Sequence, residues 1–99
     1  MTIYQFDWDE AKAASNVRKH GVSFEDAMTI FKDPHILTIF DPDHSGMEDR
    51  WISIGCASTP QLILAVHTHV EIDADNVSIR IISARKPTKR EAQQYREGI

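Results

Sequence analysis

The sequence predicts a small α+β domain with elements in the order β-α-α-β-β-β-β-α, and three observations predict it. Two capped helical segments follow a short leading strand. Three apolar runs joined by short polar links fill residues 50–85, a pattern that favours an antiparallel meander. A capping box then opens a last helix after Pro87. A mainly antiparallel sheet with helices packed on one face satisfies all three.

Residues 3–7, Ile3-Tyr4-Gln5-Phe6-Asp7, form the first strand. Asp9 is a good N-cap for a helix from Glu10 to about His20, and Gly21 is a natural left-handed terminator. That helix offers Ala13, Ala14 and Val17 to the core. Ser23 caps a second helix with Ala27, Ile30 and Phe31 on its apolar stripe, and Asp33-Pro34 ends it. Leu37 to Asp41 is the second strand, and the polar stretch from Asp41 to Asp49 is a loop. Strands near 50–57, 61–69 and 76–85 are rich in β-branched and aliphatic residues. Thr88 and Glu91 are the reciprocal partners of the final capping box.

A chain of 99 residues accommodates one domain, here residues 1–99. No apolar run approaches the ~20 residues that cross a membrane. The N-terminal residues lack the basic start and apolar stretch of a secretory signal, so a cytoplasmic setting is expected. The single Cys56 has no internal disulfide partner and is expected to fill the core of an apolar strand. The five histidines show no HExxH or Cys/His spacing. His67-x-His69 could chelate a metal, but no third ligand is implied, so neither a metal nor a cofactor is expected.

Charge is segregated. Residues 80–99 hold six bases and two acids, a net of +4, whereas the whole chain has −4, which leaves residues 1–79 at −8. Such segregation points to one anion-binding surface on an acidic body. Three groups could carry chemistry. Lys12, Asn16, Lys19 and His20 share one side of the first helix. From spacing alone they read as a solvated face with cations near a helix C-terminus, and the alternative is a phosphate grip or a general acid or base. In the sheet, strict alternation puts Ser78, Arg80, Ile82 and Ala84 on one face, opposite Ser83 and Arg85. Arg80 therefore either faces water or lines a site, because a buried unpaired guanidinium is costly. His67 carries the same ambiguity. The third group is the terminal patch, Lys86, Lys89 and Arg90 with Tyr95, which is either a binding surface or a solvated helix anchored by its tyrosine.

Several blocks occur together: Phe6-Asp7-Trp8-Asp9, Lys12, Asn16, Lys19-His20-Gly21-Val22-Ser23-Phe24, Asp41-Pro42-Asp43-His44 with Glu48 and Arg50, Ile54-Gly55, Val66-His67-Thr68, and Arg80-Ile81-Ile82-Ser83-Ala84-Arg85 with Glu91 and Tyr95. In this order they resemble the BrnT toxins, RelE-like ribonucleases of bacterial type II toxin–antitoxin systems, over nearly the whole chain. The resemblance implies a RelE-like fold and cleavage of mRNA without a metal. It also implies neutralisation by a BrnA-like antitoxin with a ribbon-helix-helix part, so that DNA is reached only through the antitoxin. Under it, His20 and His67 are proton-transfer candidates. Arg50, Arg80 and Arg85 are phosphate clamps, Lys19 is auxiliary, Ser83 orients, and Tyr95 stacks on a base or donates a proton. Lys86, Lys89 and Arg90 extend the RNA-binding surface. The acidic stretch from Glu71 to Asp75 is longer than the tight hairpin expected of that family.

Two other functions compete with the toxin. One is a catalytically inactive relative that holds an antitoxin and acts as a corepressor. The other is a direct DNA-binding domain, which the acidic net charge opposes. Guanidinium groups scattered outward, each held by a local carboxylate and far from any histidine, would defeat the nuclease reading.

Overall fold

A computed structural model describes residues 1–44, 46 and 48–98, with His44 described by its backbone alone. Part of the expected polar loop, Ser45 and Met47, and the terminal Ile99 lie outside the described residues. The elements are β1 (Ile3–Asp7), α1 (Glu10–His20), α2 (Phe24–Met28), a 3₁₀ turn (Thr29–Lys32), β2 (Leu37–Asp41), a second 3₁₀ turn (Pro42–His44), β3 (Arg50–Cys56), β4 (Leu62–His67), β5 (Val70–Glu71), β6 (Asn76–Arg85) and α3 (Lys89–Glu97).

The expected caps form. The Asp9 carboxylate accepts from the Lys12 amide at 3.0 Å, and Gly21 closes α1 at φ 69°. Ser23 accepts from the Asp26 amide at 3.0 Å, and Thr88 and Glu91 cap each other at the start of α3.

Six strands make one mixed sheet in the order β1-β6-β4-β3-β2, with β5 pairing β6. Strands β2, β3, β4 and β6 form the expected antiparallel meander. Two features depart from expectation. β1 lies parallel to the last strand, and the acidic 70–76 stretch contributes β5 instead of a simple loop.

Helices cover both faces, not one. Phe24 and Ala27 of α2 and Ile30 of the first 3₁₀ turn pack with Ile63, Ala65, Ile79, Ile81 and Ala84 in the main core. Gly55 admits the 3₁₀ turn closely, since a Cβ there would stand 2.9 Å from the Ile30 Cβ. Ile54 and Leu64 are cross-strand partners on the opposite face and are also buried. α3 lies on that side, tied through Glu91 to Arg85, which pairs with Leu64.

Helix α1 is turned from the expected orientation. Ala13 and Asn16 are buried, while Ala14 and Val17 are exposed. Asn16 acts as a latch on β6 beyond the end of β1. Its amide nitrogen donates to the Val22 carbonyl at 2.9 Å and to the Ala84 carbonyl at 2.7 Å, and its oxygen accepts from the Ala84 amide at 3.1 Å. A strand edge with no neighbour is thus satisfied by a side chain. Replacing Asn16 with alanine strands a buried N–H and two carbonyls, each costing about 1–3 kcal/mol. The expected loss is about 3 kcal/mol, read in thermal unfolding as a fall of about 15 °C. A fall of a degree or two would show that the latch carries no stability.

Cys56 also departs from expectation. It is exposed, because the alternation of β3 turns it away from the main core at the strand's end.

Candidate nucleic-acid interface

Strict alternation along β6 fails at one place, and that failure builds the site. Ala65 pairs with Ala84 and Val66 with Ser83, but His67 pairs with Ile81. Ile82 is therefore an extra residue in β6, a bulge that reverses which side chains face which way. Ser83 and Arg85 move to the face that carries Arg80, and Ala84 moves to the core with Ile79 and Ile81. Arg50 shares that face, since Ile52 pairs with Val66 two residues along. Arg50, Arg80, Ser83 and Arg85 thus lie on one side of the sheet. Lys86 follows at its rim, with Lys89 and Arg90 exposed in the first turn of α3.

The bulge also meets helix α1. Lys12, Ser15, Lys19 and His20 line a groove of about 160 Å³ against Asn16, Ile82 and Ser83. The Asn16 latch fixes this arrangement, because it seats α1 against Ala84 and leaves Lys12 (four residues earlier) and Lys19 (three later) flanking the contact. Three expected site residues, Lys19, His20 and Ser83, are brought together here. Lys12 joins them, and its place on the helical stripe was the available signal.

The arginines differ in their partners. The Arg80 guanidinium donates to Glu48, and both side chains are 46% exposed. An exposed pair of this kind is worth about 0–1 kcal/mol and exchanges readily for another anion. Arg85 donates to both Glu91 oxygens, at 2.8 and 2.9 Å, and the same carboxylate accepts from the Thr88 amide at 2.8 Å. Those bonds, Arg85 first, hold the Glu91 carboxyl down at about 2 against the opposing effect of burial, and Glu91 in turn raises Arg85. Arg85 is thereby locked to the start of α3. Neither guanidinium is scattered away from the face, but both are occupied by carboxylates.

Two expected site residues lie elsewhere. His67 is fully buried. Its Nδ1 lies 2.8 Å from the Thr68 carbonyl, which only accepts, so Nδ1 carries the proton. Its Nε2 then accepts from the Ser53 hydroxyl at 2.7 Å, and Ser53 accepts from Thr38 at 2.8 Å. Phe31 packs edge-on at 5.0 Å. Burial pushes the imidazole down to about 4, assisted by neighbouring His69 and opposed by the Thr68 carbonyl. A phosphodiester cannot reach this ring, and both ring nitrogens are used. His67 is a core residue in this fold.

Tyr95 is half-buried and donates its phenol proton to Asp33. That bond, with burial second, pushes it up to about 12, so it is a poor proton donor. Burial draws Asp33 upward, but bonds from the Cys56 amide, Tyr95 and the His35 amide outweigh it and hold the carboxyl low. Asp33 was legible only as a helix end. In the structure it joins the end of β3 to α3, accepting from Cys56 at 2.8 Å. Tyr95 lines a cleft with His35, Arg96 and Glu97, apart from the Lys19–His20–Ser83 groove.

Among the described residues no group of three or more His, Cys, Asp or Glu side chains is arranged to hold a metal ion. No described helix is long and apolar enough to cross a membrane.

The chain is similar to known proteins over most of its length. The family model described as "Ribonuclease toxin, BrnT, of type II toxin-antitoxin system" matches residues 8–91. The crystal structure of the Brucella abortus ribonuclease toxin BrnT superposes with a TM-score of 0.55 and 23% identity, covering 89% of this chain and 100% of that one. No curated protein matches the chain.

Proposed function

Because the chain belongs to the BrnT family of ribonuclease toxins of type II toxin–antitoxin systems, we propose that it cleaves mRNA in the cytoplasm without a metal and so inhibits translation. A BrnA-like antitoxin with a ribbon-helix-helix part neutralises it, and the pair reaches DNA through the antitoxin. One observation carries the catalytic reading. The groove holding Lys12, Lys19, His20 and Ser83 opens beside the sheet face that presents Arg80.

The chemistry needed is transfer of a phosphoryl group from the 5′-oxygen to the neighbouring 2′-oxygen. His20 takes the 2′-hydroxyl proton as the general base. The 2′-oxygen attacks phosphorus, and the bond from phosphorus to the 5′-oxygen breaks. The Lys19 ammonium returns a proton to that leaving oxygen, a role open because Tyr95 is committed to Asp33 and His67 is buried. Arg80 exchanges Glu48 for the phosphoryl oxygens and stabilises their growing charge. Ser83 orients the phosphate from the bulge. Lys86, Lys89 and Arg90 hold flanking phosphates at the start of α3. Arg85, fixed to Glu91, positions α3.

A second reading is favoured by the same two ion pairs. With Arg80 and Arg85 already matched by carboxylates, the chain would be an inactive relative that binds antitoxin as a corepressor. Purified protein incubated with total RNA separates the two. The proposal expects cleavage that falls by about 100-fold in Lys19→Ala and in His20→Ala, the lower end of what acid–base catalysis supplies. Antitoxin binding by wild-type protein that leaves RNA intact establishes the corepressor instead.

A further inference from the structure

Strand β1 is one of the two edges of the sheet, opposite β2: among the described residues it pairs with β6 alone. Four of its five residues are exposed and Phe6 is half-buried. The Ile3 amide donates to the Asp75 carbonyl at 2.6 Å, toward β6. In a parallel pair the main-chain groups of alternate residues turn the same way. Those of Ile3, Gln5 and Asp7 therefore serve β6, and those of Tyr4 and Phe6 point outward. Edge strands are ordinarily blunted by lysine, proline or a bulge. β1 has none of these.

Beside that edge runs a groove of about 440 Å³, walled by Tyr4 and Phe6 and by Met28, Phe31 and Lys32. Phe31 stands 5.8 Å from Tyr4 and 5.4 Å from Phe6, ring to ring. A strand laid along β1 would bond the Tyr4 and Phe6 main chain and drop every second side chain into this groove. Charge selects the strand. Asp7 is exposed as the last residue of β1, Asp9 and Glu10 are exposed just past it, and Glu71, Asp73 and Asp75 are exposed about the other end. RNA is repelled there, and so is a second copy of the chain, which carries the same acids and a net of −4.

We infer that the β1 edge takes an extended segment of the antitoxin, apolar at alternate positions and basic toward its ends, as an added strand of the sheet. This inference rests on the antitoxin reading above. It separates the antitoxin's docking edge from the RNA groove at Ser83, so capture of the toxin does not depend on the catalytic cations.

Amide exchange of the full chain, followed residue by residue with and without the antitoxin from the neighbouring reading frame, tests it. The Tyr4 and Phe6 amides should exchange at least tenfold more slowly in the saturated complex. Tyr4→Lys should weaken binding at least tenfold while RNA cleavage is unchanged. A stable complex with both amides unprotected overturns the docking edge and leaves the antitoxin reading standing. Failure of the wild-type chain to bind antitoxin overturns both. Protection of the same amides by RNA, or by raising the concentration of the chain alone, overturns the assignment of the occupant. The exchange measurement needs no variant, so a Tyr4→Lys protein that fails to fold does not weaken the test.

Discussion

Under the proposed mechanism, Arg80→Ala is expected to lower RNA cleavage by about 10²–10³-fold and to leave the fold intact, because the lost donor would act on charge that develops only in the transition state. Such a factor corresponds to about 3–4 kcal/mol. The stability side is small, since the guanidinium meets Glu48 in an exposed pair. Glu48→Gln should move activity the other way, raising cleavage a few-fold by freeing Arg80 for phosphate. Arg85→Ala should behave differently again. It removes the bidentate tie between β6 and α3, so its main effect is on unfolding. Steady-state kinetics and thermal melts on the three variants separate these outcomes. An Arg80→Ala protein that melts like wild type and cleaves at the wild-type rate removes Arg80 from the site.

The second large effect is on stability against pH. His67 is neutral when buried, with its affinity for protons lowered to about 4 from an ordinary value of 6.5. The unfolded chain therefore binds a proton that the folded chain refuses between those values. Stability from this source is complete above about pH 6.5 and is lost as pH falls toward about 4. The loss over that window is on the order of 3 kcal/mol. The neighbouring His69 ring adds like charge when protonated and works in the same direction. The carboxylate of Glu91, held down at about 2, contributes at a lower window, lost only as pH drops below its ordinary 4.5. Denaturant titrations at pH 7.5, 6 and 5 should show the decline beginning near pH 6.5. His67→Phe keeps a ring beside Phe31 and should flatten that part of the profile, whatever it costs overall. A histidine signal that titrates near 6.5 in folded protein, assigned to His67, would contradict the burial argument.

Local signals were legible in the sequence. Asp9, Ser23 and Thr88 cap the helices they were expected to cap, because a side-chain acceptor and a following amide decide that locally. The antiparallel run from β2 to β6 followed from apolar stretches and short links. What was hidden depended on contacts distant in sequence. The parallel pairing of β1 with β6 joins residues more than seventy positions apart. The turn of α1 followed from Asn16, whose partners at Ala84 lie 68 residues away and outweigh the hydrophobicity of Val17. Period-two counting separated Arg80 from Ser83 and Arg85, and only the bulge at Ile82 unites them. A bulge has no residue signature here, since Ile82 resembles its neighbours. His67 sat on a half-polar strand face in the sequence, and Ser53 and Thr68, which satisfy its ring nitrogens in the core, could not be paired with it beforehand.

The most direct test of the account is the chemistry of the RNA ends produced by the purified chain in excess chelator. Attack by the 2′-hydroxyl leaves a 2′,3′-cyclic phosphate on one fragment and a 5′-hydroxyl on the other, and these ends should appear with wild-type protein and largely disappear with Arg80→Ala. Fragments bearing 5′-phosphates, or cleavage that stops when divalent ions are removed, would contradict it.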